Sequence, residues 1–447
     1  MNRREPSMRV TVVGVGHLGL THAACMADLG HQVLAVDLNE PMIAKVANGE
    51  VPFFEPGLEP LLRRNLGAGR LVFSTSYEEA ADFGEVHFLC VGTPEARDGA
   101  ADLTQTYAAV RALAPRLRQR SLIVGKSTVP VGTARKLLAL AKSLAPAGAQ
   151  VGMAWNPEFL REGFAVTDSL SPDRLVFGIT SERAATVLKR LYVKLLDNGI
   201  PSLVTDLETA ELVKVAANAF LATRISFLNA VAEVCEATGA DIVLLARALS
   251  YDPRIGSRYL SPGLGFGGSC LPKDIRAFQS TAKGLGIRSV VGLLGEVDTI
   301  NLARRVRVVD LARQATGGSL DGKRVAALGV SFKPDIDDVR DSPSLDVCER
   351  LRSEGATVSV HDPMAMPNAA KVSPDLRYVQ TVHEAAADAD LVLHLTEWAE
   401  YQAVDPAVLG AVVAQRTLID ARCTLDAHRW RAAGWSVQVL GRPEHAR

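Results

Sequence analysis

Cysteine is scarce in this 447-residue sequence, and the six cysteines lie far apart in the chain. They form no C-x-x-C pair and no group with histidine at metal-ligand spacing (Cys25, Cys90, Cys235, Cys270, Cys348 and Cys423). In a chain of this size the pattern argues against a disulfide framework and favours reduced thiols in a cytosol. We therefore expect a cytoplasmic protein without a bound metal.

Net charge and long apolar runs are lacking as well. The 49 basic and 50 acidic residues give a net charge of −1, which excludes a general electrostatic attraction to nucleic acid or to an anionic membrane. No run reaches the about 18 to 20 apolar residues that a membrane span needs. Arg3 and Arg4 precede an apolar stretch, as in some export signals, but glycines and histidines within residues 14–22 interrupt it. That stretch fits a strand and a helix better than a leader.

The most informative feature of the first half is a glycine-rich turn. An apolar strand at residues 9–13 leads into Gly14-Val15-Gly16-His17-Leu18-Gly19 and a helix, and a second strand, Gln32 to Val36, ends in Asp37. This is G-x-G-x-x-G between a strand and a helix, with an acid about twenty residues further on. The helix N-terminus favours a pyrophosphate. Asp37 suits ribose hydroxyls and repels a 2′-phosphate, so NAD is favoured over NADP; a glycine-rich turn without a ligand is the alternative.

Three further strand-like segments end in turns that carry polar residues. Residues 86–91, 122–124 and 151–154 lead into Gly92-Thr93-Pro94, Lys126-Ser127-Thr128 and Asn156-Pro157-Glu158, respectively. Parallel α/β sheets bind ligands at the carboxyl ends of their strands, so these turns are candidate binding segments.

The middle of the chain predicts a long helix. From about Asp206 to Thr238 apolar residues recur at helical spacing, and the first glycine is Gly239. A helix apolar on more than one face needs several packing partners, so it should link domains and form part of a subunit interface. After a second helical region, at about 287–316, strands and helices alternate again, with one glycine, Gly329, where a dinucleotide turn needs three.

The predicted fold class is therefore α/β. Two Rossmann-like, doubly wound parallel-sheet domains, at residues 1–205 and 316–447, are joined by a central helical dimerisation domain at residues 206–315. The second sheet should not hold a second dinucleotide.

Reactive side chains occur in two further patterns. Cys270 lies among glycines just before Lys273 and Asp274, and the lysine favours a nucleophilic thiolate. A structural cysteine in a glycine-rich turn fits this segment equally well. Lys214 lies within an apolar run, where an ammonium is costly unless it has a partner; reaching out to solvent is the alternative.

Two pairs of polar residues are spaced by four, Glu158 with Glu162 and Lys214 with Asn218. If both stretches are helical, each pair shares one face. The glutamates could serve acid–base chemistry or could simply lie on a solvated surface. A nucleophilic cysteine combined with NAD suggests oxidation beyond an aldehyde, through a thiohemiacetal and a thioester that water releases as an acid.

Eight segments in a fixed order resemble the motifs of the UDP-glucose/GDP-mannose dehydrogenase family, over nearly the whole chain. They are GVGHLG, VGTP, STVPVGT, NPEFLREG, ELVKVAANAF, DPRIGSRYL, GFGGSCLPKD and FKPDIDDVRDSP. The resemblance implies an NAD-dependent oxidoreductase that oxidises the C6 hydroxyl of UDP-glucose to UDP-glucuronate. The oxidation removes four electrons in two steps and passes through a thiohemiacetal and a thioester on Cys270.

The resemblance also implies roles for individual residues. Cys270 would be the nucleophile, Lys214 and Asn218 would stabilise an oxyanion, Thr128 and Asp274 would move protons, and Glu158 would assist thioester hydrolysis. Lys214 and Asp274 are both candidates for the base of the first step. Around the cofactor the resemblance places Gly14, Val15, Gly16, His17, Leu18, Gly19, Asp37, Val91, Gly92, Thr93, Ser127, Glu162, Lys273 and Arg340. Around the nucleotide sugar it places Glu158, Phe159, Leu160, Arg161, Lys214, Asn218, Arg254, Tyr259, Phe266, Gly267, Lys333 and Arg422, with Arg254 reaching in from the neighbouring subunit of a homodimer.

The exact substrate stays open at this point. The segments 252–256 and 265–268 resemble those of glucose-type members, yet TDP-glucose, GDP-mannose and UDP-N-acetylmannosamine are alternatives for the same chemistry. A two-electron hydroxyacid dehydrogenase of the 6-phosphogluconate type would need no Cys270, and a non-enzymatic NAD-binding regulator would also not need Lys214 or Asn218. We expect a nucleotide-sugar partner, and neither nucleic acid nor a membrane.

Overall fold

The computed structural model describes residues 7–146 and 150–443 and divides into two compact units, 1–217 and 218–447. Arg3 and Arg4 lie outside the described residues, so the interpretation of that pair stays a prediction. Each unit contains a β-sheet flanked by helices, wholly parallel in the second unit and parallel except for one strand pair in the first, and the α/β class with two doubly wound sheets is confirmed. The division into three domains at residues 205 and 315 stays a prediction.

The first unit is built on an eight-stranded sheet with the order β3-β2-β1-β4-β5-β6-β7-β8. Its strands are β1 (Arg9–Val13), β2 (Gln32–Val36), β3 (Leu71–Ser74), β4 (Val86–Leu89), β5 (Ser121–Gly125), β6 (Val151–Trp155), β7 (Leu175–Ile179) and β8 (Ser202–Thr205). Neighbouring strands are parallel except β6 and β7. The strands are nearly continuous apolar runs because both faces are covered: Val10 and Val12 enter one core cluster and Val13 enters the other.

Helices cover both faces of this sheet. They are α1 (His17–Asp28), α2 (Glu40–Ala47), α3 (Leu58–Gly67), α4 (Tyr77–Phe83), α5 (Thr104–Leu113), α6 (Thr133–Leu144), α7 (Ala165–Leu170), α8 (Glu182–Leu191) and α9 (Val193–Asp197), with a 3₁₀ turn at Ala114–Arg116. Ser76 and Ser181 begin α4 and α8, because each hydroxyl accepts a backbone N–H of the first turn.

Helix α10 (Leu207–Thr238) is continuous over the stretch for which the sequence predicts a long helix. By length and composition alone it could cross a membrane, because an 18-residue window of it has a mean hydropathy of 1.3, whereas the sequence led us to expect no such run. Core helices of globular proteins meet the same criterion, and α10 hydrogen-bonds Ser226 and Asn229 to backbone groups of the second unit. The absence of a membrane partner stays a prediction.

The second unit combines helices with a six-stranded sheet. Residues 218–238 of α10 are followed by α11 (Ile242–Ser250), α12 (Leu271–Gly284) and α13 (Arg288–Ala315). The sheet order is β11-β10-β9-β12-β13-β14, and every neighbouring pair is parallel. The strands are β9 (Arg324–Leu328), β10 (Thr357–His361), β11 (Arg377–Tyr378), β12 (Leu391–His394), β13 (Thr417–Asp420) and β14 (Ser436–Val439). The helices between them are α14 (Pro343–Ser353), α15 (Met366–Val372), α16 (Val382–Ala386), α17 (Ala399–Ala403), α18 (Pro406–Leu409) and α19 (Ala427–Ala432).

Both sheets reverse their strand order beside their first strand. The reversal lies between β1 and β4 in the first sheet and between β9 and β12 in the second. Open α/β sheets bind ligands in the crevice at such a point. The turns that follow these strands are therefore the segments in which to look for a site.

Candidate active site

Two glycines shape the turn between β1 and α1. Gly14 has φ +94°, and its N–H donates to the carbonyl of Val36 at 2.8 Å. A Cβ on Gly19 would lie 1.8 Å from the carbonyl oxygen of Gly14, so only glycine permits this approach. At Gly16 a Cβ would meet nothing within 4 Å. The N-terminus of α1 is therefore open, and a phosphate can reach its backbone N–H groups.

Asp37 lies beside this turn and is half-buried. Its Oδ2 accepts the N–H of Val15 at 2.8 Å, and its Oδ1 accepts the N–H of Asn39 at 3.0 Å. These bonds orient the carboxylate, and each oxygen keeps further capacity to accept a hydrogen bond. The geometry suits a ribose.

The corresponding turn of the second sheet is closed. Gly329 again has a positive φ, +98°, but a Cβ there would lie 2.4 Å from the side chain of Thr396. The acid after β10, Asp362, is fully buried. Its oxygens accept hydrogen bonds of 2.8–3.3 Å from Val330, Ser331, Met364, Ala365 and Trp398. Because the protein itself occupies these acceptors, this turn is not available to a second dinucleotide.

The turns after β4 and β5 are hydrogen-bonded to each other. The hydroxyl of Thr93 donates to the carbonyl of Thr128 at 2.9 Å, and that of Ser127 donates to the carbonyl of Val91 at 2.7 Å. The predicted cofactor residues Val91, Gly92, Thr93 and Ser127 therefore lie together with Thr128, at the carboxyl ends of adjacent strands.

Lys214 and Glu158 form a buried ion pair. Lys214 Nζ lies 2.9 Å from Glu158 Oε1, and the side chains are 5% and 12% exposed. Glu158 Oε2 accepts the N–H of Leu160 at 2.6 Å. Burial alone raises the pKa of Glu158, but the Lys214 ammonium and the hydrogen bonds outweigh it and hold the pKa below its ordinary value. The alternative that Lys214 extends to solvent is wrong.

The loop after β6 carries Glu158 and Phe159 but is not helical. Residues 156–161 lie outside regular structure, and α7 begins only at Ala165. The prediction that Glu158 and Glu162 share one face of a helix is therefore wrong. The physical reason is local: the Glu158 carboxylate binds the N–H of Leu160, which competes with helix formation.

Two cations contact the ring of Phe159 in this loop. The Arg174 guanidinium lies 3.9 Å and Lys214 Nζ 5.8 Å from the ring centroid. Arg161 is exposed and forms an ion pair with Asp168 at 2.6 Å.

Within the second unit, Asn218 and Asp274 are both buried. Asn218 Nδ2 donates to Asp274 Oδ2 at 2.6 Å, and Lys273 Nζ lies 2.7 Å from the other oxygen of that carboxylate. Asn218 lies one turn after Lys214 on α10, so the shared helical face predicted for this pair is present. Cys270 is the residue directly before α12 and is exposed, which excludes a buried structural cysteine.

The remaining predicted residues lie on loops of the second unit, apart from two residues of α1: His17, and Leu18, which packs on the first core cluster. The carbonyl of Arg340 accepts the N–H of Gly268 at 2.9 Å. Arg422 donates to the carbonyls of Leu395 and Gly265 at 2.6 and 3.1 Å. The loop around Phe266 and Gly267 is therefore joined to both arginines.

Three predicted substrate residues remain, namely Lys333, Tyr259 and Arg254. Lys333 Nζ lies 5.7 Å from the ring centroid of Phe332. Tyr259 has φ +60°. The Arg254 side chain is 88% exposed and is held by Asp252 at 2.6 Å, rather than by another predicted site residue.

Lys126 is a buried residue that sequence reasoning misses. It is 6% exposed and donates to the carbonyl and side-chain oxygens of Asn156 at 3.3 and 3.1 Å. The same side-chain oxygen accepts the hydroxyl of Tyr192 at 2.7 Å. Burial lowers the pKa of Lys126 to about 8. The available signal was a lysine directly after a buried strand, two residues before Thr128.

Glu55 is a second such residue. Its buried carboxylate accepts the N–H groups of Gly163 and Ala165 at 2.9 and 2.8 Å and lies 3.1 Å from His17 Nε2. It thereby joins the glycine-rich turn to the segment that follows the Glu158 loop. Its partners, two backbone N–H groups and the His17 ring, are distant in the sequence and therefore leave no local pattern.

Glu211 is the third residue that sequence reasoning misses. It precedes Lys214 on α10 and accepts the N–H groups of Gly132 and Ala134 at 2.7 and 2.6 Å, at the start of α6. Burial raises the pKa of Glu211 to about 7. The helix that carries the predicted catalytic lysine thus also holds the segment after Thr128.

These groups suit acid–base and nucleophilic chemistry. Lys214 and Asn218 offer an ammonium and an amide one turn apart, which can stabilise an oxyanion. Cys270 offers an exposed thiol, and Glu158 and Asp274 offer carboxylates. Within residues 7–146 and 150–443, no group of three or more His, Cys, Asp or Glu side chains is arranged to hold a metal ion.

Comparison with known families matches three consecutive segments of the chain. Residues 8–196 match the NAD binding domain of the UDP-glucose/GDP-mannose dehydrogenase family. Residues 208–303 match the central domain of that family, and residues 326–427 match its UDP binding domain.

Individual relatives match over nearly the full length. A UDP-glucose 6-dehydrogenase of Rhizobium meliloti is 40% identical over 440 residues, covering 98% of this chain and 100% of the relative. The UDP-glucose 6-dehydrogenase TuaD of Bacillus subtilis is 37% identical, covering 97% and 93%. The solved structure of a UDP-glucose dehydrogenase from the archaeon Pyrobaculum islandicum superimposes with a TM-score of 0.91, at 37% identity and 99% coverage of both chains.

The two acids at corresponding turns should respond differently to the same substitution. Asp37→Asn should raise the Kd for NAD about tenfold or more, because a hydrogen bond to a charged group is lost. It should change the unfolding temperature little, because the amide nitrogen can face the exposed N–H of Asn39, which water can then bind. Asp362→Asn should lower the unfolding temperature by several degrees, because an amide nitrogen then faces backbone N–H donors, and should leave the Kd for NAD unchanged. Fluorescence titration and calorimetry measure both. A weakened affinity for NAD in Asp362→Asn would contradict the closed turn.

Lys126 should give a distinct pH dependence of stability. Its pKa of about 8 in the folded protein lies below the about 10.4 of an unfolded lysine, so between these values the unfolded chain binds more protons. The stability contribution of Lys126 should therefore increase as the pH rises from 8 to about 10. Subtracting the unfolding free energy of Lys126→Met from that of the wild type at each pH isolates this slope. A flat difference would show that Lys126 is not perturbed.

Proposed function

This chain belongs to the UDP-glucose/GDP-mannose dehydrogenase family, and we propose that it oxidises UDP-glucose to UDP-glucuronate in two NAD-dependent steps. The observation that carries the proposal is the placement of Lys214 and Asn218 one turn apart on α10, each bonded to a buried or nearly buried carboxylate. The relatives named UDP-glucose 6-dehydrogenase support UDP-glucose as the substrate.

The residues of the first unit fit NAD. Gly14 and Gly19 form a turn that a Cβ would block, Gly16 leaves the N-terminus of α1 open, and Asp37 is oriented by Val15 with acceptor capacity to spare. Thr93 and Ser127 line the adjacent strand ends. When bound there, NAD accepts a hydride from C6 of the substrate in each oxidation.

In the first oxidation the C6 hydroxyl becomes an aldehyde. Lys214 and Asn218 stabilise the negative charge that develops on its oxygen, through an ammonium and an amide donor. The base that removes the hydroxyl proton is either Asp274 or Lys214 in its neutral form, which becomes the ammonium when it accepts the proton. Thr128 helps to relay the proton. Glu158 keeps the Lys214 ammonium oriented through their 2.9 Å contact.

In the second oxidation Cys270 retains the aldehyde. Its sulfur forms a bond to C6, and the former carbonyl oxygen takes a proton to give a thiohemiacetal. Loss of that proton and of the C6 hydrogen as a hydride gives a thioester. Glu158, which stays ionised at neutral pH, takes a proton from water; the water oxygen adds to C6, the C–S bond breaks, and the uronate leaves with Cys270 regenerated.

The second unit binds the nucleotide sugar in this proposal. Phe266, Gly267, Lys333 and Arg422 surround it. The match to the family's UDP binding domain includes Lys333 and Arg422, and the match to its central domain includes Phe266 and Gly267. Phe159, Leu160, Arg161 and Tyr259 complete the substrate residues, and Glu162, Lys273 and Arg340 complete those of the cofactor. All six cysteines lie within the described residues and no disulfide links them, which supports a cytoplasmic location.

We also propose a homodimer built on α10. Phe220, Phe227 and Val234 recur every seven residues and are 57–64% exposed, so they form an apolar stripe on one side of the helix. A second copy would cover this stripe across a two-fold axis. Arg254, with its highly exposed guanidinium, then serves the substrate of the neighbouring subunit.

The stoichiometry of NADH tests the reaction. The wild type should release about two NADH per UDP-glucose consumed and yield UDP-glucuronate. Cys270→Ala should form no acid while its Kd for NAD stays largely unchanged, because the substitution leaves Asp37 and the glycine-rich turn that hold the cofactor intact. Absorbance at the NADH band and chromatography of the sugar nucleotide measure these quantities.

The matched control is Cys235→Ala, which removes a buried cysteine of α10 and should keep acid formation. A panel of TDP-glucose, GDP-mannose and UDP-N-acetylmannosamine defines the substrate in the same assay. One NADH per sugar, with a ketone or aldehyde as the final product, would reject the proposal in favour of a two-electron dehydrogenase.

Mixing of variants tests the dimer. Arg254→Ala and Cys270→Ala should each be nearly inactive, but after mixing and exchange of subunits a heterodimer contains one site with both residues intact. Random exchange should then restore about a quarter of the wild-type activity. When Phe227→Glu is added to both variants, each should be a monomer in sedimentation experiments. Mixing the two monomeric variants should then restore no activity. Absence of recovery between dimeric variants would place Arg254 in its own subunit's site.

A further inference from the structure

We propose that Asn301, a buried residue of α13, is the positioning residue that holds the Cys270 loop in its reactive geometry. The proposal rests on the role of Cys270 given above. The Cys270 loop is the segment 263–270 before α12.

Asn301 binds one residue of this loop through both of its amide groups. Its Oδ1 accepts the N–H of Phe266 at 2.8 Å, and its Nδ2 donates to the carbonyl of Phe266 at 3.0 Å. Asn301 is fully buried, and Phe266 is 6% exposed. Water therefore cannot replace these bonds, and the side-chain amide acts as a strand would, pairing both backbone groups of one residue.

Gly265, the residue before Phe266, lies close against the same amide of Asn301. Gly265 has φ +95°, and a Cβ at this position would lie 2.4 Å from Asn301 Oδ1. The contact therefore requires glycine for two reasons, the backbone conformation and the space. The glycine next to Phe266 is explained by Asn301 as well as by room for a ligand.

The side chain of Phe266 is anchored on the same helix. It belongs to a core cluster with Leu294 and Val297 of α13 and Ile275 of α12. Because α13 holds both the backbone and the ring of Phe266, the residue four positions before Cys270 has little freedom. Rigid supporting contacts of this kind set the geometry of a functional group.

The other polar contacts of the loop use other residues at other points. Asn229 and Arg304 bind the N–H and the carbonyl of Gly263 at 2.9 and 3.3 Å. The carbonyl of Arg340 accepts the N–H of Gly268. Arg422 donates to the carbonyl of Gly265 at 3.1 Å. Asn301 binds both the N–H and the carbonyl of Phe266, which lies between Gly263 and Gly268, so its loss should let the loop shift without detaching its ends.

The chemical consequence concerns the aldehyde. Cys270 must reach C6 before the aldehyde escapes, and a shift of about 1 Å can slow such a step about 100-fold. A displaced Cys270 should therefore release aldehyde, whereas a purely structural defect would lower the amount of folded enzyme without changing the products.

The experiment follows products per folded enzyme in Asn301→Ala, with hydrazine present to trap aldehyde. Folded enzyme is counted by NAD titration. We expect kcat for acid formation to fall about 10- to 100-fold, trapped aldehyde to appear, and the ratio of NADH to consumed UDP-glucose to fall from two towards one, with an unchanged KM for NAD. Thr299→Ala is the matched control, because Thr299 is exposed on α13 and bonds only to the carbonyl of Gly295 in its own helix.

Two further variants keep the test decisive if Asn301→Ala does not fold. Asn301→Asp keeps the acceptor for Phe266 but loses the donor, and Gly265→Ala disturbs the same contact from the loop side. Both should also release aldehyde. Two NADH per sugar, no trapped aldehyde and an unchanged kcat per folded enzyme in these variants would overturn the role of Asn301. One NADH per sugar in the wild type would instead reject the proposed function.

Discussion

A polar side chain that is buried on a helix needs a partner, and α10 depends on this constraint along most of its length. Its buried polar residues bind, in order, the start of α6, Glu158, Asp274, α13 and the Cys270 loop (Glu211, Lys214, Asn218, Ser226 and Asn229). Each bond fixes a different segment of its own unit relative to the helix. Because an unmatched group in such a place destabilises the fold, the same requirement that stabilises α10 also positions the groups proposed for chemistry.

The two sheets share a topology but differ in whether the turn after their first strand can hold a ligand. Both have a glycine of positive φ after the first strand and an acid after the second, and in both the acid accepts a backbone N–H of the turn. Asp37 stays half-buried with acceptor capacity left, whereas Asp362 is buried and surrounded by donors. Thr396 fills the crevice beside Gly329. The difference between a ligand site and a closed turn therefore lies in a few side chains and not in the order of the strands.

Patterns that depend on near neighbours were predictable. The first, second, fourth, fifth and sixth strands of the first sheet, the strand–helix alternation of the second, and the long helix from about residue 206 to 238 follow from apolar periodicity and glycine placement. The shared face of Lys214 and Asn218 follows from the same helix. The strands β3, β7 and β8 were not predicted. The prediction that Glu158 and Glu162 share one face of a helix was wrong. The hydrogen bond from the Leu160 N–H to the Glu158 carboxylate competes with helix formation and outweighs the four-residue spacing. Glu55, Glu211 and Asn301 could not be found, since their partners are distant in sequence or are backbone groups. Lys126 lies in a turn that the sequence indicates, but its buried bonds to Asn156 depend on a contact between two strand ends.

The sequence by itself determined the α/β class, the glycine-rich turn with Asp37, and the set of residues shared with the family, because these depend on residue type and on short spacings. Only the tertiary structure decided whether each polar group is buried and what it meets. Lys214 became the buried partner of Glu158, Cys270 an exposed thiol at a helix N-terminus, and Asp362 a buried structural acid. The physical reason is that burial and hydrogen-bond partners arise from contacts between segments far apart in the chain.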